Sequence, residues 1–227
     1  MKSKLVRSLF FLLSVVLFCT NTHASSDLFI LTSDYSTGST AFIPANSETA
    51  ELNVLPVHSD AVGNYQNGNI YIVNRLGQDN ILVLSPEDPS EPILQFSVGN
   101  GTNPHDIEII DDEKAYVTLY ERAELLVVNP TDGVEIKRID LSSFADSDGL
   151  PEVSKIVRVG NIAYLTCQRL NRNTDWGPAD NSYLILVDTL TDELIDVDAN
   201  SSGIQGITLS ASNPNQIMHV GRKLIVS

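Results

Sequence analysis

Histidine and carboxylate side chains at recurring places in the chain are the residues best suited to chemistry. His58 and His105 each precede an apolar, strand-like run. Aligning Leu150-Pro151-Glu152 with Asn103-Pro104-His105 gives Glu152 the same place one unit later. Imidazole and carboxylate groups together suit zinc, copper or iron. If the three side chains converge, they predict a divalent-metal site or a site that polarises a small anionic or carbonyl ligand.

A structural role for the same segment is the alternative interpretation. Asn103, Pro104 and Asp106 are typical turn residues, whose side chains cap backbone groups. In that case His105 and Asp106 need not face a ligand. Metal ligation by His58 and His105 together requires imidazoles within about 8 Å of each other, given bonds of about 2 Å.

A second candidate cation site lies in the acidic segment 146–152. Asp146 and Asp148 alternate there and are followed by Gly149, which partly resembles a calcium-binding loop. The segment is shorter than the twelve-residue arrangement of such loops and lacks the other ligands. A solvated acidic loop is therefore the favoured interpretation of this segment.

Arginines and a lone tryptophan supply candidate contacts for an anion or a partner. Arg75, Arg122 and Arg169 follow the second strand of successive units and could attract an anion, or could pair with neighbouring acids. Trp176 lies in an insertion, residues 169–178, and inserted loops often carry recognition contacts. The alternative is that Trp176 packs on its own unit.

Short apolar strands recur along the chain and would position these residues. The segments that mark the repeat are Leu28–Thr32, Ile70–Asn74, Ala115–Leu119 and Ala163–Cys167. Tyr71, Tyr116 and Tyr164 are 45 and 48 residues apart, and polar turns and further apolar strands follow each of them. Four short strands in about 45 residues predict the blades of an all-β propeller.

Three segments of the chain also resemble a known repeat family. Residues 80–84 (NILVL) and 183–192 (YLILVDTLTD) resemble one half of YVTN-type propeller repeats, and residues 115–118 (AYVT) resemble the other half. The resemblance covers residue 27 to the end. It implies a β-propeller, within a wider group that includes binding proteins, lactonases and propeller subunits of quinoprotein dehydrogenases.

The units can be counted along the chain. We expect a partial blade over 27–57, full blades over 58–101, 102–149 and 150–202, and the start of another. This predicts an open arc of about four and a half blades, interpreted as an incomplete part of a seven-bladed ring. A closed ring within these residues would contradict the interpretation.

The N-terminal residues 1–24 have the order of a secretory signal peptide. Three cations precede the apolar run 9–19, and small residues lead to predicted cleavage after Ala24. This predicts an exported propeller domain over 25–227, periplasmic or extracellular, with no transmembrane span after cleavage. A lipid anchor at Cys19 is the alternative.

Composition narrows the classes of partner. The net charge is −15, and removing three cations with the signal leaves −15 − 3 = −18. Such a surface repels nucleic-acid phosphates, so the predicted partner is a protein or a small-molecule ligand. Cys167 is the one cysteine left after cleavage, and its apolar strand indicates a buried structural thiol.

These patterns favour a non-catalytic binding or scaffold protein with its site at the mouth of the central channel. No G-x-S-x-G, HExxH, phosphate-loop or CxxC motif identifies catalytic residues. A lactonase-like hydrolase that uses His105, or a metal-associated propeller enzyme, is the alternative. The predicted site residues are His58, Arg75, His105, Asp106, Glu152, Arg169 and Trp176.

Overall fold

The computed structural model describes residues 26–179 and 181–227, so the predicted signal peptide and Cys19 lie outside the described residues. Regular structure is almost entirely β strand, apart from two 3-10 turns at Ser142–Phe144 and Arg172–Thr174. No helix in the described part of the chain is long and apolar enough to cross a bilayer.

Within the described ranges, twenty short strands form a series of antiparallel sheets in chain order. The first sheet contains β1 (Leu28–Ser33), β2 (Gly38–Ile43) and β3 (Glu51–Val57). The second contains β4 (Val62–Gln66), β5 (Asn69–Asn74), β6 (Asn80–Ser85) and β7 (Asp88–Ser97). The third contains β8 (Pro104–Asp111), β9 (Lys114–Leu119), β10 (Glu124–Val128) and β11 (Glu135–Asp140).

The later strands continue the series. The fourth sheet begins with β12 (Val153–Val159) and β13 (Ile162–Cys167). A separate small hairpin, β14 (Leu170–Asn171) with β15 (Gly177–Pro178), follows. The fourth sheet resumes with β16 (Tyr183–Asp188), β17 (Glu193–Leu194) and β18 (Ile207–Thr208). A final hairpin pairs β19 (Ile217–Val220) with β20 (Lys223–Val226).

This architecture is a partial β-propeller, as the repeat predicts. Three strands precede two sheets of four strands, a fourth sheet of five and a two-stranded hairpin. The first three sheets lie within the predicted units, and the fourth extends beyond its predicted end at residue 202, since β18 pairs with β16. Strands β3 and β4 were not predicted, because their sequences, ELNVLPV and VGNYQ, contain few apolar residues in succession.

The core lies between the sheets, because successive side chains on a strand point to opposite faces. In β5, Ile70 and Ile72 pack towards the first sheet, whereas Tyr71 and Val73 pack towards the third. A comparable cluster joins the third and fourth sheets and includes the buried Cys167 thiol. Each middle sheet is therefore buried on both faces.

The first strands of neighbouring sheets are also tied to one another by side chains. Gln66 on β4 donates to the carbonyl of Ile107 (2.9 Å) and accepts from the amide of Ile109 (2.8 Å). Asp106 on β8 accepts from the Asn64 side chain at 2.7 Å and from the Ile156 amide at 3.2 Å. Strands β4, β8 and β12 thus lie side by side around the propeller axis.

Gly133→Ala tests the close approach between the second and third sheets. Gly133 has a φ of +73°, and a Cβ there would lie 2.3 Å from Cβ of Phe96. Gly68 has a similar φ of +80° with no atom within 4 Å of its Cβ position, so Gly68→Ala is the matched control.

We expect Gly68→Ala to cost about 1 kcal/mol from backbone strain alone. Gly133→Ala adds overlap with Phe96 and should cost about 1–3 kcal/mol more. Urea denaturation measures both losses in the free energy of unfolding. Equal losses in the two variants would contradict the close packing.

Candidate functional site

A cleft of about 500 Å³ opens beside the first strands of the second, third and fourth sheets. We call it the channel cleft. The second, third and fourth sheets line it with the polar side chains of Arg75, His105, Ser154, Lys155 and Gln168. Leu31 of the first sheet and three polar residues before β19 also line it: Asn213, Asn215 and Gln216. Five parts of the chain that are distant in sequence therefore meet at one cavity.

Two loops position Arg75 and His105 by capping each other. The buried Asp79 carboxylate accepts from the amides of Gly101 (2.7 Å) and Asn103 (2.9 Å) in the loop before β8. In return, the Asn103 side chain accepts from the Leu76 amide at 3.2 Å, directly after Arg75. Asn103 is thus a structural cap, as one interpretation of the turn predicted, and the same turn directs His105 into the cleft.

The His105 imidazole has a defined tautomer because of its partners. Nη2 of Arg75 lies 2.6 Å from Nε2, and Oγ of Ser154 lies 3.0 Å from Nδ1. A guanidinium can only donate, so Nε2 accepts and the neutral ring carries its proton on Nδ1. The Nδ1–H group therefore donates to the Ser154 hydroxyl.

An aromatic stack supports the imidazole from behind. The rings of His105 and Tyr120 are nearly parallel, with centroids 4.1 Å apart and 9° between the planes. The Tyr120 hydroxyl donates to Oε1 of Gln168 at 2.7 Å, and Gln168 donates to the carbonyl of Pro214 at 3.1 Å. Burial raises the pKa of Tyr120 to about 12, so its hydroxyl stays protonated.

Burial and two neighbouring cations keep His105 uncharged. Burial, Arg75 and Lys155 together lower the pKa of His105 to about 3. Lys155 lies 3.8 Å from Asp106, and Arg75 lies 3.8 Å from Asp60. Burial raises the pKa of Asp106, although Lys155 opposes this shift. Asp106 links neighbouring strands and offsets the charge of Lys155. The charged side chains that line the cleft are Arg75 and Lys155.

Arg75, Tyr120 and Gln168 occupy one equivalent position in successive sheets, directly after β5, β9 and β13. Arg122 and Arg169, which the spacing predicts beside Arg75, lie further beyond β9 and β13 and do not line the channel cleft. Arg122 donates to loop carbonyls, and Arg169 stacks on Tyr183 at 5.3 Å. Counting four residues beyond each marker tyrosine would have found the correct set.

The predicted equivalence of Glu152 and His105 was also wrong. The amide of Gln168 bonds the Glu152 carbonyl at 3.2 Å, as the amide of Tyr120 bonds the Asn103 carbonyl at 3.1 Å. Glu152 therefore corresponds to Asn103, and Ser154 corresponds to His105. The prediction paired Pro151 with Pro104, whereas Pro151 has the place of Thr102 in the backbone hydrogen-bond pattern.

Glu152 is fully buried and is engaged within the protein. Its carboxylate accepts from the amide of Leu170 at 3.1 Å and from Nε of Arg172 at 3.2 Å. Arg172 also pairs with Glu121 and lies 4.6 Å above the ring of Trp176, which is half exposed. The insertion is thus anchored on Glu152 and keeps Trp176 partly open to solvent.

The predicted metal ligands do not come together in the structure. Across residues 26–179 and 181–227, no group of three or more His, Cys, Asp or Glu side chains is placed to hold a metal ion. Nδ1 of His58 accepts from the amide of Asp60 at 3.0 Å, and His58 does not line the channel cleft. The trio of His58, His105 and Glu152 is therefore not assembled, since Glu152 bonds Arg172.

The second predicted cation site forms a turn. The Asp146 carboxylate accepts from the amide of Asp148 at 2.9 Å. Asp148 accepts from the amides of Leu150 (3.1 Å) and Arg172 (2.9 Å). These carboxylates cap backbone groups and fix the loop before β12.

Similar solved structures are β-propeller proteins at low identity. Hydrazine synthase of Kuenenia stuttgartiensis is 15% identical, with a TM-score of 0.55, covering 90% of this chain and 55% of that chain. A putative 6-phosphogluconolactonase from Bacteroides uniformis is 15% identical, with a TM-score of 0.55, covering 89% and 60%. Apo AztD from Citrobacter koseri is 14% identical, with a TM-score of 0.50, covering 82% and 47%.

The shared fold is the propeller. The chain spans about half to three fifths of the length of these proteins. No protein-family model matches the chain, and no curated protein matches it either. At these identities the likeness concerns the fold alone.

The protonation of His105 can be tested directly. Because burial and two cations lower its pKa to about 3, the ring should stay neutral from pH 8 down to about pH 4. Nitrogen-15 NMR of histidine-labelled protein should show Nδ1 protonated and Nε2 unprotonated throughout, with His105→Gln used to assign the signals.

Arg75→Gln provides the companion measurement. Removing the guanidinium charge should raise the pKa of His105, because a nearby cation disfavours the charged ring. A ring that titrates near pH 6.5 in the unchanged protein would contradict the described environment.

The pH dependence of stability tests the burial of Glu152. Burial raises the pKa of Glu152 from 4.5 to about 7, so the folded protein binds this proton more tightly than the unfolded chain does. The contribution of Glu152 to stability should therefore fall as pH rises from about 4.5 to about 7.

Relative to Glu152→Gln, the unchanged protein should lose about 2 kcal/mol of unfolding free energy across this range. Urea denaturation at pH 5 and pH 8 measures the difference, and the exposed Glu193→Gln should show little change. If the difference grew with pH, the Arg172 ion pair would outweigh burial.

Proposed function

We propose that this protein is an exported binding protein that holds a small-molecule ligand in the channel cleft without transforming it. The observation that carries the proposal is the convergence of Arg75, His105, Ser154, Lys155 and Gln168, from three sheets, on one cavity. The proposal includes the export signal over residues 1–24 and a YVTN-type origin of the repeat.

The dimensions and lining of the cleft support ligand binding. About 500 Å³ falls within the range of small-molecule sites, which are clefts with a few well-placed polar groups. The polar groups here are pre-organised, since Asp79 and Asn103 fix the loops, and Tyr120 supports His105. A rigid set of side chains loses little entropy when a ligand binds.

The hydrogen bonding of His105 supports binding over hydrolysis. A serine nucleophile needs a base that accepts its proton. His105 instead donates from Nδ1 to Ser154, and its Nε2 lone pair is occupied by Arg75 at 2.6 Å. The His105–Ser154 pair is therefore arranged to orient the hydroxyl and does not activate it.

A cleft-blocking substitution tests the proposed function. Asn213 is exposed and lines the cleft, so Asn213→Trp should fill part of the cavity without disturbing a core. Asn53→Trp is the matched control, because Asn53 is exposed, lies outside the described cavities and has a φ of +54°, close to the +55° of Asn213.

A defined panel of carboxylic acids, alcohols, amines, sugars and organic phosphates would be screened by thermal shift and ligand-observed NMR. We expect at least one class to bind the unchanged protein and Asn53→Trp, with affinity reduced at least tenfold by Asn213→Trp. Absence of any binder, or binding unaffected by Asn213→Trp, would overturn the proposed site.

A further inference from the structure

We infer that the ligand of the channel cleft is a small monocarboxylate with an apolar body. This inference rests on the proposed function, because it identifies the class of ligand for the same cavity.

Both cations in the cleft keep donors available. Arg75 donates from Nη2 to His105, and its Nη1 is 3.8 Å from Asp60, which is beyond hydrogen-bond distance. Lys155 lies 3.4 Å from the carbonyl of His105 and 3.8 Å from Asp106. These distances leave N–H groups on both side chains free to bind an oxyanion.

The Ser154 hydroxyl adds a third donor to the same wall. Its oxygen accepts from Nδ1 of His105, so its own hydrogen is directed elsewhere. Among the hydrogen bonds of the described residues, none uses this hydroxyl as a donor to a protein oxygen. Arg75, Lys155 and Ser154 thus offer donors to one cavity, whereas the ring acceptor of His105 is already occupied by Arg75.

The charge balance favours one negative charge on the ligand. Arg75 and Lys155 are each matched by one carboxylate, Asp60 and Asp106, so the two pairs sum to about zero. The chain as a whole carries −15. A dianion would place excess negative charge in a neutral cleft on an acidic protein, whereas a monoanion can replace the loose ion pairs with direct hydrogen bonds.

The shape of the donors and the rest of the lining identify a carboxylate with an apolar body. A planar guanidinium matches the two oxygens of a carboxylate. Leu31, Val62 and Leu170 line the same cavity as the cations. A ligand that satisfies the cleft therefore combines one carboxylate with a chain or ring that covers these apolar side chains.

Hexanoate is a suitable probe, measured by isothermal titration calorimetry on the full chain after signal removal, at pH 8. Hexanol keeps the apolar body without the charge, hexyl phosphate carries a dianion, and acetate lacks the apolar body. We expect the Kd of hexanoate to be at least tenfold lower than that of each of the other three compounds.

Arg75→Gln and Lys155→Met should each raise the Kd for hexanoate at least tenfold. Arg222→Gln is the charge-matched control, since it removes one cation at an exposed position outside the cleft, and it should leave the Kd within twofold. Circular dichroism and urea denaturation establish that the variants are folded. If one of them is unfolded, the other carries the test.

The outcomes separate this inference from the proposed function. Tighter binding of hexyl phosphate or hexanol than of hexanoate, abolished by Asn213→Trp, would overturn the monocarboxylate and keep the binding cleft. Hexanoate binding that Arg75→Gln and Lys155→Met do not change would also overturn the inference. Failure of the broad panel, hexanoate included, would overturn both.

Discussion

The burial of both faces of each sheet against its neighbours is the constraint on which the rest of the structure depends. A four-stranded sheet alone cannot hide the alternating side chains of strands such as β5, where Ile72 and Val73 are fully buried on opposite faces. Stacking the sheets around an axis buries both sets and brings β4, β8 and β12 side by side. The channel cleft is a consequence of that arrangement.

The repeat could be predicted from sequence because its signal is local. Tyr71, Tyr116 and Tyr164 lie in apolar strands, and the strands, turns and spacing around them specify one unit after another. Strands β3 and β4 escaped prediction because hydrogen bonding along the sheet maintains them more than an apolar run does. The local sequence pattern therefore predicts the inner strands of each blade better than strands at the end of a sheet, such as β3 and β4.

The site could be predicted only in part because its contacts join distant residues. Arg75 and His105 stood out as chemically capable side chains at strand ends, and they do meet. Ser154 and Lys155 did not stand out, because a serine and a lysine at the start of an apolar strand carry no distinctive pattern. Their place became clear once backbone hydrogen bonds fixed which residues of successive sheets correspond.

The charges that line the cleft differ in sign from the net charge of the protein. The net charge of −15 describes the surface seen from a distance. Within the cleft, burial of His105 and the nearby cations Arg75 and Lys155 keep its ring neutral, which composition alone could not indicate. If the cleft binds a ligand as proposed, the local field, and not the overall charge, would decide which molecules it attracts.

The composition of the cavity wall from several sheets has a mechanical consequence. A ligand could contact Arg75 of the second sheet, His105 of the third and Lys155 of the fourth at the same time. Such a ligand would bridge the two interfaces between these sheets. Its binding free energy would then oppose separation of the sheets. By linkage, a change that weakens packing between the sheets would weaken ligand binding by the same coupling free energy. The packing of the sheets and the binding of a ligand at the cleft would thus be thermodynamically coupled.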